Sequence, residues 1–432
     1  MTINSYISSK DYSNKKRLVM LKEIIVSLFL LVILAVAGFS GYLNSVSVGN
    51  KLDNTGGLSG LSLGQVCSFS WGNWQEYVFV YNCMKEAGSP DPDVPDGMRI
   101  LEVMTLITYK GKVYAVLSPV GEIWSFNEQN WTVSFIWSCE PHPNYRWRGG
   151  AWSALIFQDK LYFFGFIMHS NGACRGYGIR FDGQKWDSRE CDIVGEFYSA
   201  EVYQNNLYCA GVVDKDAYIF KMNPDSLEFT LIHVESEVGV PAFMSTNRWS
   251  EKLYVATGCW EHGERMINAR NPSARDVYAH LLVFDGANWR KHGLPSEEGF
   301  ESVTVDDELG VVVGASSGVI YRFMEDNSSF RLAYDLGKIH PIKMFGAGGN
   351  VGKDWIFDYL WVCGGSRWYF KPIGGKIVIF NNGEWHELSK SLAVGFSDVE
   401  TFGSWILIAT VWPRDHTRVS VLVFPATYFT HA

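Results

Sequence analysis

Short apolar pairs recur along the chain, and each opens a run of residues with the composition of a β-strand. A polar, turn-forming group precedes each pair, and β-branched or aromatic residues follow it. The steps between pairs are roughly 46 to 58 residues, which indicates a repeated structural unit. The pairs are Val113-Tyr114, Leu161-Tyr162, Leu207-Tyr208, Leu253-Tyr254, Val311-Val312, Leu360-Trp361 and Ile406-Leu407.

A second strand follows each pair and ends in a turn with an aromatic residue close behind it. Residues 180–187, 283–290 and 379–386 are RFDGQKWD, VFDGANWR and IFNNGEWH. Asp-Gly and similar turns supply the positive φ that a tight connection between strands needs. One more short strand precedes each pair and another follows the aromatic residue, so each unit has four short strands.

Seven such units without helical periodicity after residue 43 predict an all-β fold, a seven-bladed β-propeller of four-stranded blades. A β-sandwich array or a β-helix does not need four-strand units at this spacing. The last unit ends soon after its third strand, whereas residues 68–82 precede the first complete unit. We expect that N-terminal segment to supply the missing outer strand, which closes the ring and covers a sheet edge.

The N-terminal region has a different pattern, because residues 24–43 carry no charge and are long enough to cross a bilayer as a helix. The basic residues before this segment are Lys10, Lys15, Lys16, Arg17 and Lys22. They predict a type II signal anchor with a cytoplasmic tail at 1–23. The Gly-, Ser- and Asn-rich residues 44–65 predict a flexible stalk, and 66–432 form the propeller ectodomain.

Two other interpretations of the N-terminus are open. A cleaved signal peptide is one, because VAGFS offers small residues, although the apolar run is long for such a peptide. A pilin-like N-terminus is the other, because Glu23 lies at the start of the apolar stretch, but Leu18 stands where a small residue is expected.

Composition narrows the class of partner. Hydrophobic residues make up 47% of the chain and charged residues 19%, as in a globular protein. Aromatic residues make up 15%, which suits broad side chains between packed sheets. The net charge of -9 argues against nucleic acid as a partner.

All of the cysteines follow the predicted membrane segment, where disulfides persist. The even count permits full pairing, but the sequence does not give the connectivity. No pattern of cysteine and histidine indicates a metal site or a cofactor. The disulfide candidates are Cys67, Cys83, Cys139, Cys174, Cys191, Cys209, Cys259 and Cys363. Asn130 and Asn327 begin sequons and could carry glycans.

The repeat resembles the kelch family of propellers. The resemblance is strongest in LWVCGGSRWYFKPIGGKIVIFNNGEWHEL, where Gly364-Gly365 occupies the position of the kelch glycine doublet. Other units keep at most one glycine there, so the resemblance implies an architecture and no activity. The layout of anchor, stalk and propeller also resembles viral attachment and neuraminidase-type glycoproteins.

Candidate chemistry lies in the connections that do not repeat. Connections between second and third strands are predicted to be long at 165–176, 257–279, 363–375 and 411–418, and they leave from the same end as 138–152. The ligand-binding candidates are Arg146, Arg148, His169, Glu264, Arg265, Arg367, Trp368, Tyr369, Arg414, Asp415 and His416. Arginines among aromatic residues could bind an anionic or sugar ligand, or they could simply pair with neighbouring carboxylates at the surface.

Three functions follow from these patterns. The first is a membrane-anchored propeller, outside a cell or a viral envelope, that binds a surface glycan or protein for adhesion or attachment. The second is a sialidase-like glycoside hydrolase, but no motif fixes its catalytic residues, so the sequence leans against an enzyme. The third is a structural surface subunit that assembles into oligomers through its blade edges.

Overall fold

The computed structural model describes most of the predicted ectodomain. The described residues are 64–71, 74–81, 102–118, 120–128, 130–137, 148–246, 251–258, 278–337, 340–345, 360–365, 375–381, 383–387, 395–411 and 418–425. Contacts divide the chain into two units, one of Met1–Gly49 with Cys67–Phe69 and one of Asn50–Val66 with Ser70–Ala432.

The predicted tail at 1–23 and span at 24–43 lie outside the described residues, so the anchor stays a prediction. Nearly all of the predicted stalk lies outside them as well, although its last two residues belong to a strand. Within the described part of the chain, no helix is both long and apolar enough to span a bilayer.

Six sheets each consist of four consecutive strands, and we call them blades 1 to 6. Blade 1 has β3 (Glu102–Tyr109), β4 (Lys112–Ser118), β5 (Glu122–Phe126) and β6 (Trp131–Ile136). Blade 2 has β7 (Gly149–Phe157), β8 (Lys160–Met168), β9 (Cys174–Phe181) and β10 (Trp186–Cys191). Blade 3 has β11 (Phe197–Tyr203), β12 (Asn206–Val213), β13 (Asp216–Met222) and β14 (Phe229–Glu235).

The next three blades continue in the same order. Blade 4 has β15 (Val240–Thr246), β16 (Leu253–Gly258), β17 (Ala279–Phe284) and β18 (Trp289–Leu294). Blade 5 has β19 (Phe300–Asp306), β20 (Gly310–Ala315), β21 (Val319–Met324) and β22 (Ser329–Asp335). Blade 6 has β23 (His340–Phe345), β24 (Leu360–Gly365), β25 (Gly375–Asn381) and β26 (Glu384–Glu387).

The remaining sheet joins the two ends of the ectodomain, and we call it the closing sheet. Its order is β1-β2-β29-β28-β27. The strands are β1 (Gly64–Trp71), β2 (Trp74–Tyr81), β27 (Gly395–Phe402), β28 (Trp405–Val411) and β29 (Arg418–Pro425). Strand β2 pairs antiparallel with β29, with Tyr77 opposite Val421. The expectation that an N-terminal strand completes the last sheet is therefore confirmed.

The fold is an all-β propeller, as the sequence predicts. The first strands of successive blades lie side by side from β3 to β23, and β27 lies between β23 and β3. The predicted count of seven four-stranded blades is wrong, because the described residues form six blades of four strands and a closing sheet of five. The difference arises because the N-terminal segment forms two strands, where the sequence pattern indicated one.

The apolar core is a series of layers between neighbouring sheets. The aromatic residue after each turn belongs to these layers. Trp186, from RFDGQKWD, stacks on Phe181 at 4.3 Å and contacts Phe135 of blade 1 at 4.9 Å. Trp289 stacks on Phe284 and on His233 of blade 3, both at 4.6 Å. The recurrent turn is thus a scaffold feature, since its aromatic residue packs between blades.

The tyrosine of the recurrent apolar pair connects one blade to the next. The hydroxyl of Tyr162 donates to the carbonyl of Pro224 in blade 3 at 3.3 Å. The hydroxyl of Tyr254 donates to the carboxylate of Glu325 in blade 5, which also forms an ion pair with Lys252. Burial and this carboxylate raise the pKa of Tyr254, so the hydroxyl stays protonated.

We expect Tyr254→Phe to lower the free energy of unfolding by about 1–2 kcal/mol, because it removes one hydrogen bond to a charged acceptor. Chemical denaturation followed by tryptophan fluorescence would measure the change. Tyr208→Phe is the matched control, because Tyr208 holds the same place in blade 3 and no hydrogen bond of its hydroxyl is seen among the described residues. Equal losses in the two variants would contradict a specific role for the Glu325 contact.

Polar side chains also join the first strands of neighbouring sheets. These strands form the inner edge of each sheet, where backbone groups lack a strand partner. The hydroxyl of Ser153 accepts from the amide of Ala200 at 3.2 Å, and that of Ser199 accepts from the amide of Met244. Each hydroxyl therefore satisfies a backbone donor of the next blade, which holds the ring together along its axis.

Candidate functional site

One end of the propeller carries the connections that the sequence marked as variable. At this end each first strand begins and each second strand turns into the third, and we call it the upper end. The register fixes this arrangement, because Val103 near the start of β3 lies opposite Leu117 near the end of β4. The lower end holds the turns between first and second strands and those between third and fourth strands.

Every first strand contains one extra residue near the upper end. The extra residue lies between Val103 and Thr105 in β3, and the same shift recurs in β7, β11, β15, β19, β23 and β27. Such bulges turn a side chain out of its alternating position and are frequent beside functional sites. Their repetition at one end of all seven first strands marks the upper end as the candidate site.

Bulged residues of the first three blades belong to a buried apolar layer at this end, which we call the floor. We define the bulge cluster as Met104, Trp152, Phe166, Tyr198 and Val240, which pack together. Trp152 and Tyr198 stack with ring centroids 6.1 Å apart. All five side chains are buried, so the cluster supports the upper end and does not form its exposed surface.

A carboxylate fixes the orientation of the cluster's tryptophan. The Nε1 of Trp152 donates to Oε1 of Glu196, which precedes β11. In β27 the bulged residue is Ser397, whose hydroxyl donates to the carbonyl of Val103 at 2.6 Å. The floor therefore changes from aromatic at blades 2 and 3 to polar at the closing sheet.

The interior near the ring axis is acidic. Several carboxylates on or beside the first strands are buried, whereas Arg148 is the buried arginine among the described residues. These acids are Glu196, Glu201, Glu301, Asp306, Asp398 and Glu400. Buried carboxyl groups in this number disfavour an anionic ligand inside the ring, because each of them that ionises would repel it at low dielectric.

The structure describes two of the predicted ligand-binding residues, and both lie at the upper end of blade 2. Arg148 is buried, and its carbonyl accepts from the amide of Met168 at 2.8 Å. His169, which follows Met168 in the chain, is half-buried, and its Nε2 lies 3.0 Å from Oε2 of Glu190. Arg148 does not present an exposed guanidinium, and a role of either residue in ligand binding stays a prediction.

The remaining ligand-binding candidates lie outside the described residues. They are Arg146, Glu264, Arg265, Arg367, Trp368, Tyr369, Arg414, Asp415 and His416. The predicted long connection at 165–176 is wrong, because β8 extends to Met168 and β9 begins at Cys174. A tight turn joins them, in which the amide of Gly172 donates to the carbonyl of His169 at 2.9 Å. The polar residues His169 to Gly172 looked like a loop because a turn and a loop share composition.

The described cysteines form no disulfide. Cys191 and Cys209 are buried free thiols in the layer between blades 2 and 3, and burial raises the pKa of both. The Sγ of Cys174 donates to the carbonyl of Gly195 at 3.0 Å. The expectation of disulfides at these three positions is therefore wrong, and the thiols act as small apolar side chains. The side chains of Cys67, Cys83, Cys139, Cys259 and Cys363 lie outside the described part.

Both sequons lie at the lower end. Asn130 and Asn327 are exposed and occupy the turns between the third and fourth strands of blades 1 and 5. The side chain of Asn327 accepts from the hydroxyl of Ser329 at 2.6 Å. Glycans at these positions would leave the upper end uncovered, and their attachment stays a prediction.

Comparisons with known proteins give structural likeness only. No family model and no curated protein matches the sequence. The extracellular domain of the putative one component system BT4673 from B. thetaiotaomicron is 10% identical, with a TM-score of 0.49 over 75% of this chain and 38% of that chain. This chain therefore spans less than half the length of that protein.

Two further solved structures have similar scores. The WD40 β-propeller domain of Doa1 is 12% identical, with a TM-score of 0.48 over 76% of this chain and 95% of that chain. YCF48 bound to D1 peptide is 10% identical, with a TM-score of 0.49 over 83% and 97%. Because these values are low, the propeller architecture rests on the sheets described above. Nothing in the comparisons is specific to the kelch family.

Sequence patterns did not mark the bulge cluster, although one signal was present. The residue after the extra residue is often small and polar, as in Thr105, Ser153, Ser199 and Ser302. At the same place β27 has Asp398. A polar residue directly after the bulge is therefore the signal in the sequence, although β15 has Met244 at this place.

Proposed function

We propose that the chain is a membrane-anchored propeller, exposed outside the cell or on a viral envelope, that binds a surface glycan or protein through its upper end. The observation that carries this proposal is the bulge at the upper end of every first strand. A rigid floor beneath variable connections is the arrangement by which scaffolds present binding loops.

The surroundings of the floor support this choice of surface. Close packing of the bulge cluster makes the upper end rigid. Connections that rest on this rigid layer would lose less conformational entropy when a ligand binds. Ion pairs do not distinguish the two ends, because Lys110–Asp159 joins neighbouring blades at the lower end and Lys291–Glu235 joins them near the upper end. The choice of the upper end therefore rests on the bulges.

Binding of the detergent-solubilised full chain to a glycan array and to cultured cells tests the proposal. Ile193 is exposed at the upper end of blade 2, and Gln184 is exposed at the lower end of the same blade. We expect Ile193→Glu to weaken binding about tenfold, because it places a charge at the ligand surface. Gln184→Glu adds the same charge at the other end and should leave binding unchanged. Loss of binding in the Gln184 variant alone would contradict the assignment of the upper end.

A further inference from the structure

One aromatic side chain at the upper end of blade 4 is exposed to solvent. Tyr278 has 38% of its surface accessible, whereas the other exposed large hydrophobic side chains in the described part of the chain are aliphatic. It directly precedes β17, at the end of the connection that the sequence predicted at 257–279. An aromatic ring left in water at a variable connection indicates a contact surface for a ligand.

The ring is held in place from one side. It lies against the imidazole of His280, with centroids 4.2 Å apart and an interplanar angle of 31°. Gly293 of β18 lies beneath it, and a Cβ at Gly293 would come within 2.6 Å of Cε2 of Tyr278. The absence of a side chain at Gly293 therefore allows the tyrosine to lie across the strand.

His280 is itself fixed in one protonation state. Its Nδ1 donates to the carbonyl of Tyr278 at 2.8 Å, since a carbonyl only accepts. The imidazole is buried, which lowers the pKa of His280, so the ring is neutral at physiological pH. A neutral, hydrogen-bonded histidine gives the tyrosine a rigid apolar support, which reduces the entropy lost on stacking.

Polar groups flank this support on the side of blade 3. Lys291 lies two residues before Gly293 on β18 and so shares that face of the strand, and its side chain forms an ion pair with Glu235 of blade 3 at 2.9 Å. The Nζ of Lys291 also donates to the carbonyl of Ser236 at 3.4 Å. Paired donors and acceptors of opposite charge can bind hydroxyl groups without requiring a charged ligand.

We propose that Tyr278 is the stacking platform for one pyranose ring of a neutral glycan. The C–H face of a sugar packs on an aromatic ring, while its hydroxyls bind neighbouring polar groups. The charges of Lys291 and Glu235 cancel each other in their ion pair. A platform flanked by no net positive charge favours an uncharged sugar over a sialylated or sulfated one. This inference rests on the proposed function and names its ligand class.

A glycan array that holds neutral, sialylated and sulfated oligosaccharides tests the inference with the detergent-solubilised full chain. We expect the wild-type protein to bind neutral glycans that end in a hexose or an N-acetylhexosamine. Tyr278→Ala should weaken that binding by at least about tenfold, because stacking is lost. Tyr278→Phe keeps the ring and should bind within about twofold of wild type.

Leu332→Ala is the control, because Leu332 is exposed on the outer strand of blade 5, away from this platform. It should leave glycan binding unchanged. Neutral-glycan binding that survives Tyr278→Ala overturns the inference but leaves the proposed function standing. Binding restricted to sialylated or sulfated glycans, or to a protein, also overturns the inference alone. A wild-type chain that binds neither glycans nor cells overturns both.

Discussion

Replacement of Asp398 by alanine should lower the free energy of unfolding by about 3–5 kcal/mol, a large part of the stability of a typical domain. Asp398 is fully buried in the closing sheet. Its Oδ2 accepts from the amide of Leu106 at 2.7 Å and from the hydroxyl of Thr105 at 3.0 Å. Loss of the carboxylate leaves both donors of blade 1 buried without this acceptor, at the junction between the closing sheet and blade 1.

Equilibrium unfolding in guanidinium chloride, followed by tryptophan fluorescence, measures this loss. The matched control is Ser153→Ala, because Ser153 bonds to the inner edge of the next blade in the same way. A neutral hydroxyl contributes less than a carboxylate, so the control should lose about 1–2 kcal/mol. If both variants lost the same amount, the charge of Asp398 would have no special part in closing the ring.

How far the sequence determines this fold depends on the periodicity of each element. The pairs such as Leu161-Tyr162 and the turn before Trp186 recur at similar intervals, so strands and blades could be predicted from them. The closing sheet was harder to count, because Gly64–Trp71 and Trp74–Tyr81 belong to no repeat. Trp74–Tyr81 pairs with a strand some 340 residues away in the chain, and Gly64–Trp71 adds a strand outside it that no repeat indicates.

The candidate site was harder to predict than the fold for a physical reason. Arginine and aromatic residues in variable connections show that a surface is polar, but they do not show what those side chains contact. Arg148 illustrates this, because it belongs to the predicted set and is nevertheless buried. Bulges depend on hydrogen-bond register between strands, so the position of Trp152 emerges only when β7 is paired with β8.

A pH-dependent loss of stability should arise at Glu201, on the inner strand of blade 3. The residue before it, Ala200, packs toward blade 2, so Glu201 faces the opposite side, toward blade 4. It is buried, and among the described residues it accepts one hydrogen bond, from the amide of Val202 at 2.8 Å. Burial disfavours the ionised carboxylate, and a single hydrogen bond offsets this only in part, so the pKa of Glu201 is raised to about 8.

The sign of the effect follows from the direction of this shift. The unfolded chain has a carboxyl pKa near 4.5, so the folded protein binds the proton more tightly. The resulting stabilisation is complete below about pH 4.5 and is lost as the pH rises toward 8. The pKa difference corresponds to roughly 3–5 kcal/mol across that range, because the ionised carboxylate must be buried at high pH.

Glu201→Gln should remove this dependence, because the amide is neutral at every pH and nearly the same size. We expect the variant to match wild type near pH 5 and to exceed its unfolding free energy by several kcal/mol near pH 8. Subtracting the two pH profiles from denaturation curves isolates Glu201 from all other titrating groups. A difference that stayed flat between pH 5 and 8 would contradict the prediction.

Glu400 provides the matched control, because it occupies the corresponding place on β27 but has better partners. Its two carboxylate oxygens accept from the amide of Thr401 at 2.8 Å and from that of Thr108 in blade 1 at 3.3 Å. Glutamine keeps one acceptor oxygen where glutamate has two, so Glu400→Gln should break one of these bonds and lower stability near pH 8. Two carboxylates at equivalent positions of one repeat are therefore expected to respond with opposite signs to the same substitution.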